Sequence, residues 1–478
     1  MSSYGDPQLS FYDNLIIFVF FAGIILFSIY QNKKIEGSNK SYFLAGKNIH
    51  WIIAMLSIVA TETSVLTFVG IPAMSYASKN WNFLQVVIGY ILGRVLVGYI
   101  FLPMYYKEGI ISIYQVIGQK YGKSVQEVAS ITFLITRIFA DGIRFLATAG
   151  IVSVITEWPL DIAILIIGTI TIIYSSIGGL KTILWVDGFQ FFIYLACGLI
   201  AIFHIINHPL FDYSQIYQNG FLDIVKTSSN IFSSESLFMS ILAGAFMSVG
   251  SHGIDYLMVQ RVLSTKNISS ARKAMIGSGI FVFIQFLVFL CVGTLILSGA
   301  FDVFDDVQQN ETNQIFPIYI RNYIPSGLKG LMLAGVLSAA MSSLSSSINS
   351  LSSSTIVDIF KSNSYGRKSV LVSIFWGVFL TLFSLMFEYN PKDSIVLLAL
   401  KITSFTYGGL ISLFLFVRLR LEFLKESIIL SYISSIILLL ILAYNNVSWE
   451  YYISISILAN FIIVYVVNFY QRVLTNRE

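Results

Sequence analysis

Charged residues are scarce in this sequence. Asp, Glu, Lys and Arg make up 11% of its 478 residues, whereas a soluble chain carries about 25%. Hydrophobic residues make up 56%, and the mean hydropathy is +0.78. A soluble domain could not bury that much apolar surface, but a lipid bilayer can surround it. The composition therefore predicts a membrane protein.

Cysteine, histidine and basic tracts are also rare, and each shortage excludes a class of function. Cys197 and Cys291 are the two cysteines, and both lie inside apolar runs, so a disulfide framework or thiolate metal site is not expected. The four histidines have no metal-ligand spacing. Without a basic tract to follow a phosphate backbone, nucleic acid is not an expected partner. No nucleophile–base constellation is present either, so an enzyme is not expected.

Long apolar segments occur along the whole sequence. About thirteen of them approach the roughly 20 residues that a transmembrane helix needs. They lie at about residues 10–30, 50–79, 83–106, 125–155, 158–178, 183–206, 236–263, 271–300, 327–360, 367–388, 394–417, 426–444 and 449–470. The sequence therefore predicts an all-α polytopic membrane protein with a lipid bilayer around it. The first run is too long for a signal peptide and lacks a small-residue cleavage site.

Basic residues concentrate in alternate connections between the predicted spans. They include Lys40, Lys47, Lys120, Lys123, Lys266, Arg272, Lys361, Arg367, Arg418 and Arg420. All of them fall on the same side of a membrane that the chain crosses at each predicted span. Because basic residues favour the cytoplasmic side, we expect the N-terminus outside and the C-terminus in the cytoplasm. The expected location is a bacterial inner (plasma) membrane.

Two predicted spans contain polar and small residues at mid-membrane depth. The second, Met55–Pro72, carries several hydroxyls and a carboxylate and ends in a Gly-x-Pro step. The seventh, Ala243–Asp255, contains three glycines beside polar groups. Interrupted helices expose backbone groups that must face a cavity, an ion or a substrate, and two at the starts of successive five-helix blocks indicate an inverted-repeat transporter. Close packing of small residues is the alternative for either segment.

The ninth predicted span is rich in serine over residues 337–355. Helical spacing places Ala339, Ser342, Ser343 and Ser346 on neighbouring ridges. Hydroxyl and carbonyl oxygens are hard ligands that suit a hard monovalent cation such as sodium. A packing face of small residues explains some of these serines, but not their density beside other polar groups.

Four parts of the sequence resemble the sodium/solute symporter family, which includes sodium/glucose, sodium/proline and sialic-acid transporters. Tyr174–Gln190 resembles the family's Gly-Gly-Leu and Trp-Thr-Asp-x-x-Gln signature, and Ser342–Ser350 resembles its sodium-site helix. Asp255–Arg261 resembles the Gln-Arg motif that closes the sixth core helix. Ala60–Ser64, with Phe68–Gly70, resembles the broken first core helix. Together these stretches span most of the chain in the family's order.

The resemblance implies a LeuT-type fold with two inverted five-helix repeats, one helix before them and two after. The implied division is 1–48 for the first helix and loop, 49–207 for the first repeat, 208–235 for an extracellular loop, 236–418 for the second repeat and 419–478 for the last two helices and tail. The implied activity is sodium-coupled import of a small polar organic solute by alternating access. The implied functional unit is a monomer.

The resemblance also implies sodium-binding residues. A first site would use the carbonyls and hydroxyls of Ala60, Thr63, Ala339, Ser342 and Ser343. A second site, found in only some members, would use Asp187, Ser345 and Ser346. Because all three are present, two sodium ions per transport cycle are expected. Asp187 could also act as a helix N-cap or in an ion pair.

Several charged residues lie at membrane depth and must face a partner or water. They are Glu62, Arg94, Arg137, Asp141, Arg144 and Lys401. Arg137, Asp141 and Arg144 share one helix face, and they form either a structural network with Glu62 as counter-ion or a site for a charged solute. Most family members carry a neutral residue where this chain has Glu62. That difference indicates affinity for an amine, a salt bridge to Arg137 or Arg144, or proton coupling.

The substrate site is expected by analogy with sugar-transporting members and from the charged face. Its predicted residues are Glu62, Ser64, Thr67, Gln85, Tyr90, Arg137, Asp141, Arg144 and Asp255. Two alternatives to sodium symport remain open. One is a proton-coupled transporter that uses Glu62 or Asp255, and the other is a transporter-like sensor module.

Overall fold

The computed structural model describes residues 8–32, 39–106, 110–218, 220–225, 236–297, 312–361, 367–387 and 395–475. Within these ranges the regular elements are helices, apart from one isolated bridge between Ile49 and Thr265. Residues 226–235 of the predicted extracellular loop and residues 298–300 at the end of the eighth predicted span lie outside the described residues.

Long apolar helices carry the fold, because a helix satisfies its own backbone hydrogen bonds within lipid. They are α1 (Phe11–Asn32), α2 (Trp51–Glu62), α3 (Val65–Ser78), α4 (Phe83–Leu96), α5 (Tyr114–Tyr121), α6 (Lys123–Thr156), α7 (Leu160–Ile206), α8 (Leu237–Val249), α9 (Tyr256–Leu263), α10 (Ile268–Leu297), α11 (Ile315–Tyr323), α12 (Leu328–Ser354), α13 (Arg367–Leu385), α14 (Ile395–Arg418), α15 (Lys425–Tyr444) and α16 (Tyr452–Thr475). Short helical segments at Asn39–Leu44, Ala45–Lys47, Leu102–Tyr105, Tyr213–Gln218, Thr312–Gln314 and Trp449–Tyr451 connect them. Wider π-helical turns at Val97–Phe101, Gly250–Ile254 and Thr355–Ile359 extend α4, α8 and α12.

The number of membrane crossings follows from the lengths of these helices. Ten described helices are long and apolar enough to cross a membrane, and α2 with α3 forms one more crossing, bent by 59°. The 47 residues of α7 would extend about 70 Å, which is twice the thickness of a hydrocarbon core. Gly179, at φ 57° and ψ −168°, breaks that helix, so α7 crosses twice. With 24 residues, α14 is also long enough to cross, so the described helices provide the length for the thirteen crossings that hydropathy predicts.

The second predicted span is interrupted between α2 and α3. Thr63 and Ser64 have non-helical backbone angles. The Thr63 hydroxyl donates to Val59 O at 2.8 Å, and this side-chain bond competes with continuation of the helix. The Gly-x-Pro step at residues 70–72 lies inside α3, so the interruption falls before it. A proline inside a helix removes one hydrogen bond and crowds the carbonyl four residues back, and α3 accommodates both effects at Pro72.

The seventh predicted span is interrupted between α8 and α9. The π-helical turn after α8 leads to Asp255, whose backbone is extended at φ −86° and ψ 114°. The Asp255 carboxylate accepts a hydrogen bond from Leu257 N at 3.0 Å and so caps α9. Both interruptions that the sequence predicts are therefore present.

The basic connections lie together at one end of the described structure. Ile49 N donates to Ser264 O at 3.0 Å, which joins the connection after α1 to the one after α9. Tyr121 Oη donates to Leu421 O at 2.9 Å, which joins the connections after α5 and α14. At the opposite end, Trp81 N donates to Asp223 O at 2.9 Å. These contacts therefore pair basic connections with basic connections.

The serine-rich helix α12 forms the centre of the protein and packs against α1, α6 and α7. Nearly every residue of α12 is buried. Ser338 Oγ donates to Ala334 O at 2.7 Å and Ser352 Oγ donates to Ile348 O, so such hydroxyls are satisfied within the helix. The Asp13 carboxylate of α1 accepts from Gly327 N at 2.8 Å and from Gly330 N at 2.6 Å, which caps the first turn of α12.

Candidate functional site

The interruption between α2 and α3 releases two backbone carbonyls inside the protein. In a continuous α-helix, the amide of Ser64 would donate to Ala60 O. It donates instead to Glu62 O at 3.0 Å. Similarly, Thr67 N donates to Ser64 O at 2.9 Å and not to Thr63 O, four residues back. Ala60 and Thr63 are both buried, so their carbonyl oxygens are available to a ligand that reaches the interruption.

The helix α12 brings hydroxyl groups to the end of α2. Ser343 Oγ lies 3.4 Å from Thr61 O of α2 and 3.3 Å from Ala339 O of its own helix. Ser342 Oγ is buried and has no hydrogen-bond partner among the described residues. The structure therefore brings together the two helices that carry the five predicted ligands of the first sodium site.

The oxygens at this contact suit a monovalent cation. Carbonyl and hydroxyl groups are hard, uncharged ligands, and they do not need to lose a proton to bind sodium. Within the described residues, no group of three or more His, Cys, Asp or Glu side chains is placed to hold a metal ion. The donor set at the α2–α12 contact is therefore one for sodium rather than for a transition metal.

Asp187 and the serines of the second predicted sodium site lie beside the first. Ser57 Oγ donates to Asp187 Oδ2 at 2.6 Å, whereas Asp187 Oδ1 is buried without a hydrogen-bond partner among the described residues. Ser345 Oγ and Ser346 Oγ both donate to Ser342 O, at 3.1 and 2.6 Å. The two serine protons are therefore used within α12.

Arg261 lies among these residues, although it was not among the predicted site residues. Its guanidinium donates to Ser346 Oγ and lies 3.5 Å from Asp187 Oδ2. Arg261 was visible in the sequence only as the end of the Gln-Arg motif. Nothing in the sequence indicated which carboxylate it would reach.

A second buried charged group surrounds Arg137 on α6. Arg137 pairs with Asp255 at the interruption between α8 and α9, and it donates to Asp141 Oδ1 at 3.1 Å. Tyr407 of α14 donates to Asp255 Oδ2 at 2.6 Å and accepts from Arg137 at 3.0 Å. Ser347 Oγ of α12 donates to Asp141 Oδ2 at 2.6 Å. This group therefore joins three predicted substrate residues in one network.

Arg144 is the least compensated arginine of this face. Its nearest carboxylate contact is Asp141 Oδ1, 3.8 Å from Nη1. Its side chain is 22% exposed, compared with 5% for Arg137, and its Nε atom has no hydrogen-bond partner among the described residues. Arg144 can therefore accept an anionic group without first losing a strong ion pair.

Glu62 pairs with Arg94 and not with Arg137 or Arg144, so the structure does not have the salt bridge that was one of the three alternatives for Glu62. His252 Nε2 also lies 3.5 Å from Glu62 Oε2. Glu62, at the end of α2, thus reaches α4 and the turn after α8, whereas Arg137 of α6 pairs with Asp255. Asp255 therefore serves as the additional counter-ion of the α6 face, which was one of the two roles that the sequence analysis left open for Glu62.

The other predicted substrate residues occupy different environments. Ser64 is buried at the interruption, and Thr67 is partly exposed one turn into α3. Tyr90 lies one turn before Arg94 on the same face of α4. Gln85 donates to Ile224 O at 2.7 Å, so its amide anchors the segment after α7. The structure thus places Ser64, Thr67 and Tyr90 near Glu62, and it gives Gln85 a structural contact.

Sequence comparisons identify relatives of one type. The model of the "sodium:solute symporter family" matches residues 42–419. Sodium-coupled monocarboxylate transporter 2 of Mus musculus is 25% identical over 417 residues, covering 83% of this chain and 66% of the relative. The sodium/sialic acid symporter NanT of Aliivibrio fischeri is 27% identical over 361 residues, covering 73% of this chain and 69% of the relative. The chain thus spans about two thirds of the length of these relatives.

A solved structure has the same overall fold. A Na⁺-coupled sialic acid symporter, in a substrate-bound outward-open state, superposes with a TM-score of 0.83 at 23% sequence identity. The superposition covers 96% of this chain and 97% of that chain. This similarity confirms the predicted LeuT-type, all-helical fold.

Proposed function

Because the chain belongs to the sodium:solute symporter family, whose members are transporters, we propose that it is a sodium-coupled symporter. It imports a small polar organic solute by alternating access. The family assignment also makes it an integral membrane protein, in agreement with its apolar helices. The observation that carries the proposal is the interruption that releases the carbonyls of Ala60 and Thr63 in α2, next to the contact of Ser343 Oγ of α12 with Thr61 O.

Sodium at this contact holds α2 against α12. The ion gathers oxygens from Ala60, Thr63, Ala339, Ser342 and Ser343. It therefore favours the backbone geometry at Thr63 and Ser64 that also places Ser64 and Glu62 at the solute site. Each sodium ion carried inward gains about 2.3 kcal/mol per 100 mV of membrane potential. That gain is what drives uptake of the solute against its gradient.

The solute carries an anionic group that binds Arg144. A guanidinium can bind a carboxylate through two parallel hydrogen bonds, and Arg144 is partly exposed with one contact at 3.8 Å. Two of the relatives are named for acids, the monocarboxylates and sialic acid. Ser64, Thr67, Tyr90 and Glu62 supply hydroxyl and carboxylate groups to the remainder of the solute.

The orientation and the functional unit are part of the same proposal. The end of the protein that carries the basic connections faces the cytoplasm of a bacterial inner membrane, so the N-terminus lies outside. The repeats comprise residues 49–207 and 236–418. Both broken crossings and α12 belong to one chain, so a monomer contains the complete site.

A thermal-shift screen of the purified protein tests the proposal. Small carboxylic acids and the matching neutral amides are each added in sodium chloride and in potassium chloride. We expect sodium alone to stabilise the protein, and one class of acid to add stability only in sodium. Stabilisation by potassium equal to that by sodium would contradict sodium coupling. Stabilisation by amides but not acids would contradict the role of Arg144.

Uptake into proteoliposomes tests the sodium site itself. Ser343→Ala removes a predicted ligand and is expected to raise the sodium concentration for half-maximal uptake by about tenfold, since a lost ligand of this kind costs about 1 to 2 kcal/mol. Ser352→Ala is the matched control, because its hydroxyl bonds only to Ile348 O within the same helix among the contacts described. An unchanged sodium requirement in Ser343→Ala would remove that serine from the site. Uptake driven by a proton gradient without sodium would favour the proton-coupled alternative through Glu62 or Asp255.

A further inference from the structure

Arg272 of α10 is fixed against the π-helical turn that extends α4. In a continuous α-helix, Leu102 N would donate to Gly98 O, but it donates to Val97 O instead. Pro103, the next residue, has no N–H to offer, so Gly98 O is left for a side chain. The Nε atom of Arg272 donates to it at 2.9 Å. The turn therefore creates an acceptor that orients the guanidinium.

The same guanidinium lies over the ring of Tyr99. Its central carbon is 4.7 Å from the ring centroid, which is within the range of cation–π attraction, and the Tyr99 side chain is 58% exposed. The two terminal nitrogens of Arg272 have no hydrogen-bond partner among the described residues. Four arginines inside the protein each contact a carboxylate, namely Arg94, Arg137, Arg144 and Arg261. Arg272 instead presents an oriented and unpaired positive charge at the surface.

Outward-facing side chains extend from this point along both helices. Helical spacing places three residues on one face of α4 and three on one face of α10. These exposed residues are Leu92, Leu96 and Tyr99 of α4 and Lys273, Ile280 and Ile284 of α10. Between the two faces the helices approach closely at Gly279, where an added Cβ would lie 3.3 Å from Ile91 Cα. The contact of Arg272 with Tyr99 places both faces on the same side, so they flank a shallow apolar groove.

The length of α10 places Arg272 at the level of the lipid headgroups. Its 30 residues extend about 45 Å, which is about 15 Å more than the thickness of a hydrocarbon core. Shared between the two ends, this excess places about five residues beyond the core at each end, and Arg272 is the fifth residue of the helix. Tyrosine is enriched at the same level of a membrane. The exposed Lys266 and Lys273 lie at this end of α10, among the basic connections.

We propose that this end of the α4–α10 contact binds one anionic phospholipid. We refer to Arg272, Lys273 and Tyr99 as the headgroup site. The phosphate accepts hydrogen bonds from the two terminal nitrogens of Arg272, and an acyl chain lies along the apolar groove. Basic pockets between transmembrane helices on the cytoplasmic side bind anionic headgroups in this way. A zwitterionic lipid has the same phosphate and acyl chains, but two adjacent basic residues repel its ammonium group, so the site selects a lipid with net negative charge.

The proposal goes beyond solute transport. It uses the proposed orientation only to assign the lipid to the cytoplasmic leaflet. The test needs neither sodium nor a solute, so its outcome is independent of the proposed function.

Native mass spectrometry of the purified protein tests the headgroup site. The protein is titrated with phosphatidylglycerol and with phosphatidylcholine of the same acyl chains. We expect the wild type to retain one phosphatidylglycerol at concentrations at which it retains no phosphatidylcholine. Arg272→Gln removes a charged donor to phosphate and is expected to raise the phosphatidylglycerol concentration for half-occupancy by about tenfold. Tyr99→Leu is expected to raise it as well, whereas Tyr99→Phe keeps the ring and is expected to match the wild type.

Arg418→Gln is the matched control. Arg418 is exposed in the last turn of α14, among the basic connections, and no aromatic ring lies under its guanidinium in the described structure. The variant loses the same charge and is expected to bind phosphatidylglycerol as the wild type does. An equal loss of binding in Arg418→Gln and Arg272→Gln would show attraction to the whole basic end and would overturn the proposal.

Three other results would also overturn it. One is equal retention of both lipids by the wild type. The second is displacement of phosphatidylglycerol by an equal concentration of glycerol 1-phosphate, which would identify a site for free phosphate esters and not for a membrane lipid. If Arg272→Gln cannot be purified, Lys273→Gln decides, because Lys273 is exposed and its loss is expected to raise the half-occupancy concentration by about fivefold. An unchanged value in that variant is the third.

Discussion

The ion pair between Glu62 and Arg94 gives a prediction that depends on how unequally its two partners are buried. The Arg94 side chain is 0% exposed and the Glu62 side chain is 17% exposed. Arg94 also donates to Ser278 Oγ at 2.8 Å, and His252 Nε2 lies 3.5 Å from Glu62 Oε2. Replacing either residue with methionine leaves the charge of its partner unpaired. The exposure of that partner then determines how well water can solvate the unpaired charge.

The expected cost follows from that difference in access. Glu62→Met leaves a fully buried guanidinium with a hydroxyl as its described side-chain partner, and an uncompensated buried charge costs about 3 to 5 kcal/mol. Arg94→Met leaves a carboxylate that is partly exposed, so we expect about 1 to 3 kcal/mol. The double variant removes both charges and is expected to cost less than the sum, with a coupling energy of about 2 kcal/mol or more.

Unfolding of the purified protein by increasing mole fractions of SDS measures these free energies as a double-mutant cycle. The pair of Lys361 and Glu127, whose side chains are 45% and 40% exposed, provides the control cycle. An exposed pair is expected to show a coupling of about 0 to 1 kcal/mol. Additive costs for Glu62 and Arg94, or a larger cost for Arg94→Met than for Glu62→Met, would refute the reasoning.

Two further predictions concern the frame around the site. Asp13→Ala removes the acceptor that caps α12 at Gly327 and Gly330. We expect it to lower the free energy of unfolding by about 1 to 2 kcal/mol in the same SDS assay, and Asp13→Asn to have an intermediate effect. An Asp13→Ala variant as stable as the wild type would show that the cap is not needed. Gly179→Ala is expected to cost about 2 to 3 kcal/mol, because φ is +57° and an added Cβ would lie 2.9 Å from Tyr42 O. Gly23→Ala is the control, because there is open space around its Cβ position. It is expected to change the free energy of unfolding by less than about 1 kcal/mol. Equal losses of stability in the two variants would contradict the role of the Gly179 geometry.

The crossings and the two interruptions are predictable because they depend on local sequence. A run of about 20 apolar residues must form a helix in lipid wherever it lies in the chain. The turn within α7 was also predictable, since the polar and small residues near Gly179 separate two apolar runs. The exact interruption in the second crossing was less clear, because Pro72 is the more obvious helix breaker. The structure places the interruption at Thr63 and Ser64 instead.

The partners of the charged residues could not be predicted from local sequence. Spacing along α6 correctly joined Arg137 to Asp141, because both lie on one helix. Spacing gave no information on whether Glu62 would face α4 or α6, so Arg94 and His252 were missed. The same limit applies to Arg261, whose contact with Asp187 joins residues 74 positions apart in the sequence. Such contacts depend on how helices rotate and pack against one another.

The turn at Gly179 has a consequence for how the protein can move. The two crossings within α7 are joined by one non-helical residue, and that residue packs against Tyr42. A longer loop would let the two crossings tilt independently, whereas a connection of one residue makes them tilt together, with the bend at Gly179. Asp187 lies eight residues after Gly179, in the second crossing. A tilt of the first crossing therefore also moves the contact between Asp187 and Ser57 of α2.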